Sequence, residues 1–192
     1  MEILEDIHQA AVTLMEKHLP SFLTYHSIAH TLYVMDKAEF IAEQEKVSHH
    51  DKLLIRLGAL FHDTGFIRQY KNHEEAGCEI AREVLDRFNF DEMETNQICD
   101  IIMATKIPQS PMTLCERIVC DADLEYLGTD LYPLISQSLF TELQYINPEL
   151  ERSTFNRLQV SFISNHVYHT NYCKLHREEK KWQNLKNLMA SM

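Results

Sequence analysis

The stretch "GALFHDTGF", residues 58 to 66, decides how the rest of the chain is read. An apolar run (Leu53, Leu54, Ile55, Leu57, Ala59, Leu60, Phe61) ends in His62 and Asp63. Its spacing predicts a helix buried on several sides. Such a helix does not end in two ionisable groups unless something compensates them. An unpaired carboxylate buried there costs several kcal/mol or is forced to take up a proton. The rest of the chain must therefore place partners opposite His62 and Asp63.

Composition narrows where those partners come from. A chain of 192 residues, 45% of them hydrophobic, suits one domain over residues 1–192 with one substantial core. With only 4 Gly and 5 Pro, it has few turns and no low-complexity linker. No internal repeat of solenoid length is visible. The formal net charge of -11 disfavours nucleic acid and anionic membranes as partners. It leaves room for a small anionic ligand held at a local positive site, such as a metal. No apolar stretch reaches the ~20 residues that a membrane span needs. The first residues, "MEILEDIHQA", are acidic and amphipathic, unlike a signal peptide. The five cysteines (Cys78, Cys99, Cys115, Cys120, Cys173) form no CxxC and are odd in number, which reads as reduced thiols and a cytoplasmic location. Cys78, Cys99 and Cys120 fall in helical patterns as core fillers.

The apolar period is helical nearly throughout, and no segment alternates with period two, so the fold class is all-α. The first helix covers roughly residues 2–18. The second runs from about 26 to 46, the third carries Leu53 to Phe61, and "DTGFIRQYKN" is a loop in which Gly65 ends the helix. Asn72 with Glu75 three residues later has the form of a capping box for a fourth helix, roughly 73–88. A fifth spans about 91–105. Ser110 followed by Pro111 reads as N-cap and first position of a sixth, which reaches "EYLG". Two or three further helices fill 130–190, broken near "NPEL".

Histidines and carboxylates stand at three other places. In "YHSIAHT", His26 and His30 lie four apart on one helix face. In "CDADLEYLG", Asp121 and Asp123 follow the apolar "RIVC" where a core helix should stay apolar. The set His30, His62, Asp63 and Asp123 offers two imidazoles and two carboxylates to a divalent ion. Nitrogen and oxygen donors without thiolate suit Mn, Fe, Co, Ni, Zn or Mg and do not choose among them. The ion would neutralise the buried carboxylates, which in turn would fix it. A second His-Asp pair, His50-Asp51 in "SHHDKL", has a different setting. It sits at a polar helix start, where an acid complements the helix dipole.

The order H, then HD, then a late D resembles the signature of the HD-domain metal-dependent phosphohydrolases, over roughly residues 20–130. The helices of 130–190 would pack on that core. "YHSIAHT" is also similar to the opening motif of the class I cyclic-nucleotide phosphodiesterases, where a Tyr-His pair precedes the metal histidine by one turn. The "NHEE" segment is similar to small bacterial HD proteins. The resemblance implies that Asp123, not Asp121, is the metal ligand. It also implies that His26 is the group that protonates the leaving oxygen. Two-metal HD proteins carry more histidines between the HD pair and the final Asp. Here His73 is the single one in that interval, and "IIMATKIPQ" has Thr105 and Lys106 where another would fall. One tightly bound ion is therefore expected, with at most a weak second one.

Three residues have competing readings. His73 either lines the site, contacts phosphate, helps hold the weak second ion, or is an exposed helix-start histidine. Glu74 either orients a histidine or water at the metal or is a helix-start acid. Lys106 either contacts phosphate or is a solvated helix end. His166 and His169, three apart on a late helix, lack an evident third ligand for a zinc site and read as surface or core-edge histidines. "LHREEKKWQNLKNL" reads as a mixed-charge helix packing through Leu175, Trp182 and Leu185. The expected function is hydrolysis of a phosphate ester or anhydride of a small, nucleotide-like molecule. Asp63 would hold both the ion and the attacking water. A cyclic-nucleotide phosphodiesterase is one version, and a nucleotidase or pyrophosphohydrolase is another. The rival is a non-catalytic module that keeps the fold as a metal- or nucleotide-binding sensor or scaffold. The chain does not specify an oligomeric state.

Overall fold

The structure, a computed structural model, describes residues 2–192. The described residues form ten α-helices and two short 3-10 turns, with no strand. In order the helices are α1 (Glu2–His18), α2 (Ile28–Gln44), α3 (His49–Phe61), α4 (His73–Asp86), α5 (Glu92–Ala104), α6 (Leu114–Asp123), α7 (Tyr132–Ile146), α8 (Arg152–Asn165), α9 (Asn171–His176) and α10 (Glu178–Ala190). The 3-10 turns, Thr64–Ile67 and Glu125–Gly128, follow α3 and α6 directly. The all-α reading of the sequence holds. No helix among the described residues is long and apolar enough to cross a membrane.

The central helix is α3, packed against α2, α5 and α6. Its apolar run is buried as its spacing predicts, from Leu54 and Ile55 through Leu57, Ala59, Leu60 and Phe61. Each fully buried Leu, Ile or Phe stabilises the fold by roughly 1.5–3 kcal/mol. Gly58 allows α5 to come close: a Cβ there would lie 2.4 Å from Ile101 Cγ2. A second apolar cluster joins the C-terminal helices to the 3-10 turn after α6, through Tyr126, Leu127, Tyr132, Ile163 and Leu185. Tyr33 touches both clusters.

Several boundaries differ from the sequence reading. Asn72 does not form a capping box with Glu75. It adopts left-handed backbone angles with φ 55° and makes no side-chain cap bond. Glu75 binds the Lys106 ammonium instead, at 2.5 Å. A side-chain cap lies instead at Thr113, whose Oγ1 accepts from the Glu116 N–H at 3.3 Å. Glu116 in turn accepts from the Met112 N–H at 2.6 Å. Hence the N-cap of α6 is Thr113, three residues after the expected Ser110. The helix ends at Asp123 rather than running through "EYLG", which forms the 3-10 turn. Four helices, not two or three, follow residue 130, with the break near "NPEL" where expected. Leu175 and Trp182 are exposed, and the buried face of α10 carries Lys181, Asn184 and Leu185. The five cysteines are free thiols.

Candidate metal centre

Helix ends place the four signature residues. His62 is the C-terminal cap of α3, and its ring is fixed from behind because Nδ1 donates to the Ala59 carbonyl one turn back at 2.8 Å. That leaves Nε2 as the free face. Asp63 opens the 3-10 turn, and Gly65 lets that turn press on the start of α4. A Cβ at Gly65 would lie 1.8 Å from the His73 carbonyl oxygen. His30 sits in the first turn of α2, and Asp123 is the last residue of α6.

The four side chains converge. His30 Nε2 lies 3.0 Å from Asp123 Oδ1 and 3.5 Å from Asp63 Oδ2. His62 Nε2 lies 3.2 Å from Asp63 Oδ2 and 3.8 Å from Asp123 Oδ1. Donor atoms of His30, His62 and Asp123 all fall within 4.8 Å of one another. Ligands about 2.1 Å from one ion stand roughly 3.0–3.4 Å apart, so this spacing fits a shared cation. His62 Nε2 and Asp63 Oδ2 are buried and have no hydrogen-bond partner. Buried polar atoms are almost always paired, and two orphans that face each other mark a place for a bound group.

The electrostatics agree with the geometry. Burial alone would lower the His62 pKa, but the Asp63 and Asp123 carboxylates more than offset it and push it up to about 9. Burial alone would raise the Asp63 pKa, yet the imidazoles of His62, His73 and His26 hold it well below the usual carboxylate range. The pocket thus stabilises positive charge at its centre. A divalent cation on these donors meets that demand without protonating a ligand.

The remaining predicted residues divide. A cavity of about 200 Å³ is lined by His26, Asp63, His73, Glu74, Thr105 and Asp123, and by the apolar Leu124, Tyr126 and Phe162. His73 Nε2 lies 3.5 Å from Asp63 Oδ1 and 3.6 Å from Glu74 Oε1. Glu74 is buried rather than a solvated helix-start acid. The Lys106 side chain binds Glu75 and, at 3.3 Å, the Asn72 Oδ1. It borders a different, open cleft with Asp100 and Met112. His50 and Asp51 are far from this arrangement in character. Ser48 caps α3 by accepting the Asp51 N–H at 3.1 Å, and His50 lies 3.5 Å from Glu94.

Asp121 and Asp123 point to different tasks. Asp121 is fully buried and accepts from the His169 and Thr170 N–H groups, each at 2.8 Å, and from the Thr170 hydroxyl at 2.6 Å. It ties the segment between α8 and α9 to α6.

The sequence reading missed Glu142. This α7 residue is fully buried. Its Oε1 lies 2.5 Å from His26 Nδ1 and accepts from the Tyr70 hydroxyl at 3.2 Å. Its Oε2 accepts from the Tyr25 and His26 N–H groups at 2.9 and 3.0 Å. Burial acts to lower the His26 pKa, but the Glu142 hydrogen bond and nearby carboxylates override it and raise it. Phe66 stacks on His26 at 4.2 Å between ring centroids and on His73 at 3.9 Å, which fixes both rings. A signal for Glu142 exists in the sequence, since it shares a helix face with Leu139 and Ile135.

Comparison with known proteins agrees with this arrangement. No curated protein sequence matches the chain. The crystal structure of a predicted HD superfamily hydrolase from an uncultured Thermotogales bacterium shares the fold, with a TM-score of 0.54 and 21% sequence identity. The match covers 81% of this chain and 86% of that one. The HD-domain family profile matches residues 27–125, a span that starts just before His30, takes in His62 and Asp63, and ends just after Asp123. The span encloses the cluster that the fold assembles, and the chain belongs to the HD-domain family.

Proposed function

We propose that the protein is a metal-dependent phosphohydrolase acting on a phosphate ester or anhydride of a nucleotide-like molecule, with a cyclic-nucleotide phosphodiesterase as one version. The observation that carries this reading is the pair of buried, partnerless atoms, His62 Nε2 and Asp63 Oδ2, set between His30 and Asp123. His30, His62, Asp63 and Asp123 would hold one divalent ion. Such an ion, when bound, neutralises phosphoryl oxygens and makes water a stronger nucleophile at neutral pH. Asp63 has a second oxygen directed at His73, so it can orient a water as well as serve the ion. His73 and Glu74 border the same cavity and are placed to contact phosphoryl oxygens or a weakly held second ion.

His26 supplies the proton in this mechanism. Glu142 engages Nδ1, which leaves Nε2 as the nitrogen that can serve substrate. Against burial, the Glu142 hydrogen bond raises the pKa of the ring, which favours the protonated form that a proton donor needs. General acid catalysis of this kind is worth roughly 10²–10⁴ in rate. Glu142 also holds the ring orientation and balances the charge that remains or departs.

The test is turnover of a nucleotide and phosphate-ester panel by metal-stripped protein reloaded with Mn, Fe, Co, Ni, Zn or Mg. Metal-dependent release of phosphate or of an opened cyclic phosphate is expected. Tight metal binding with no turnover of any member would favour the non-catalytic module instead.

A further inference from the structure

The packing of α4 against α5 brings together two cysteines that the metal centre does not use. Cys78 lies on α4 and Cys99 on α5. Cys78 Sγ donates to the Cys99 carbonyl at 3.5 Å, and Cys99 Sγ donates to the Cys78 carbonyl at 3.8 Å. Crossed contacts of this kind lay each side chain along the other residue's backbone, so the two sulfurs are neighbours. The helices are held close around the pair. A Cβ at Gly77 would lie 3.5 Å from Ile102 Cγ2, and Ala81, Ile98 and Ile102 are fully buried.

The remaining cysteines sit in other settings. Cys120 Sγ donates to the Ala104 carbonyl at 3.1 Å, and Cys173 is fully buried. Burial, helped by the Asp51 carboxylate, pushes the Cys115 thiol up to about 12. At the Cys78–Cys99 pair, a sulfur that ionises can accept the S–H of its neighbour. That hydrogen bond, aided by the Arg82 guanidinium, holds the Cys99 thiol below its ordinary pKa although burial opposes it. The same bond, with burial, pushes the Cys78 thiol up. One proton of the pair therefore leaves readily and the other is retained. The thiolate is the form that reacts with oxidants. Arg82 is exposed, Cys78 is half-buried and Cys99 keeps 5% of its surface, so the pair lies at the rim of the helix packing.

We propose that Cys78 and Cys99 form an oxidation site, at which hydrogen peroxide joins α4 to α5 by a reversible disulfide. The Cys99 thiolate attacks one peroxide oxygen. A sulfur–oxygen bond forms, the oxygen–oxygen bond breaks, and the departing hydroxide takes a proton from solvent to become water. The Cys78 thiol then attacks the Cys99 sulfur. The sulfur–sulfur bond forms, the sulfur–oxygen bond breaks, and the Cys78 proton leaves with the hydroxyl as a second water. The two sulfurs give up the two electrons that the peroxide gains. A dithiol such as dithiothreitol reverses the step by exchange. Position gives the bond its reach. His73 and Glu74 stand in the first turn of α4, and Thr105 directly follows α5. All three line the cavity that holds Asp63 and Asp123, so the disulfide ties together the two helices behind one wall of the metal centre.

The test needs neither metal nor substrate, so it stands apart from the hydrolase reading. Full-length protein is treated with hydrogen peroxide, its free thiols are alkylated with iodoacetamide, and the chain is mapped by mass spectrometry after proteolysis without reductant. Alkylated thiols should fall from five to three, with Cys115, Cys120 and Cys173 still modified. A peptide pair linked through Cys78 and Cys99 should appear, and dithiothreitol should abolish it. The Tm of the linked protein should rise by roughly 5–10 °C, because the bond closes the chain between the two cysteines into a loop. Cys78→Ala should leave the Cys99 sulfenic acid without a resolving thiol, so that dimedone labels Cys99. Five alkylated thiols after peroxide, or Cys99 oxidised to the sulfinic acid with no link to Cys78, would overturn the proposal. So would a link between two chains in place of one within a chain. A linked protein whose Tm is unchanged or lowered would show that the bond does not fit the native packing of α4 on α5, and would overturn it as well.

Discussion

One helix, α3, carries a His-Asp pair at each end, and the two pairs behave in opposite ways. His50 and Asp51 stand in the first turn, in water, where Asp51 and Ser48 share reciprocal hydrogen bonds and the acid complements the helix dipole. His62 and Asp63 stand at the other end, buried, beside His30, His73 and Asp123. At an exposed N-terminus a carboxylate needs nothing further. At a buried C-terminus, where the helix carbonyls already favour positive charge, two carboxylates and two imidazoles around partnerless atoms call for a cation. The dipeptide is the same, and its surroundings decide its chemistry.

The sharpest way to break this contrast is to delete each pair in turn and count metal. His62→Ala and Asp63→Ala should reduce bound metal to background in elemental analysis. They should also lose the rise in Tm that added metal gives the parent protein, since that rise reflects binding to the folded state alone. Asp51→Ala should retain full metal content. Metal lost from Asp51→Ala, or kept in both of the others, would exchange the two assignments.

A next largest effect is expected at His26, which lies outside the ligand set but shares its cavity. His26→Ala should keep the metal and lose roughly 10²–10⁴ of turnover on substrates with poor leaving groups. A nitrophenyl-type ester, whose leaving oxygen needs little help from a proton, should suffer less. His30→Ala should abolish both activities with loss of metal. Glu142→Gln should follow His26→Ala in direction, because it removes the charge that orients and sustains the protonated ring. Equal losses on good and poor leaving groups in metal-replete His26→Ala would make it a residue that positions substrate.

The two aspartates of α6 repeat the contrast on a smaller scale. Two positions apart on a helix, their side chains point about 200° apart. Asp123→Asn should weaken metal binding, and Asp121→Asn should not. Asp121→Asn should instead cost about 1–3 kcal/mol of stability in denaturant titrations, because the amide N–H that replaces one buried acceptor oxygen faces donors and is left unsatisfied. The reverse pattern would move the ligand to Asp121.

These cases also explain what was legible in the sequence. The convergence of His30, His62, Asp63 and Asp123 follows from charges placed where helices should be apolar, so it was readable. Glu142 was equally out of place on α7, but its partner lies 116 positions away in the chain, and no local pattern links the two. The Asn72 cap failed because Lys106, a residue from another loop, takes the Glu75 carboxylate that a capping box would use. His166 looked like an edge histidine because Lys181 of α10, which packs on it, lies 15 positions further along the chain. Local periodicity predicted helix identity well. Partners drawn from far along the chain were beyond it.

A fourth expectation sets His62 against His166, since both are buried with partnerless nitrogens. Burial acts to lower both pKa values; the carboxylates override it at His62 and push it up to about 9, while Lys181 adds to it at His166 and takes it down to about 3. For His166 the unfolded chain has the higher pKa, near 6.5. Between about pH 6.5 and 3 the unfolded state therefore binds a proton that the folded state does not. Stability then falls on acidification through that window, by at most roughly 1.4 kcal/mol per pH unit. It is unaffected by this group above the window. Denaturant titrations at several pH values should show a shallower acid slope for His166→Phe than for the parent. Parallel slopes would mean that the imidazole charges in place.

The smallest expected effect comes from the exposed end of α3. Ser48 accepts the Asp51 N–H and donates its hydroxyl to the Asp51 carboxylate, so the two residues close the first turn of the helix. Ser48→Ala removes the cap and should cost about 1 kcal/mol, the usual value for a serine N-cap. Asp51→Ala leaves the cap acceptor in place and removes the dipole contribution of one exposed acid, worth roughly 0.3–1 kcal/mol. Neither change should alter metal content or turnover, and the Asp51 effect should shrink as salt is added, since exposed charges are screened. The cap bond is less sensitive to salt, so the two variants should respond differently to ionic strength. A salt-independent loss in Asp51→Ala of several kcal/mol would mean that the pair at this end is held by buried contacts, and the contrast between the two ends of α3 would then rest on the metal alone.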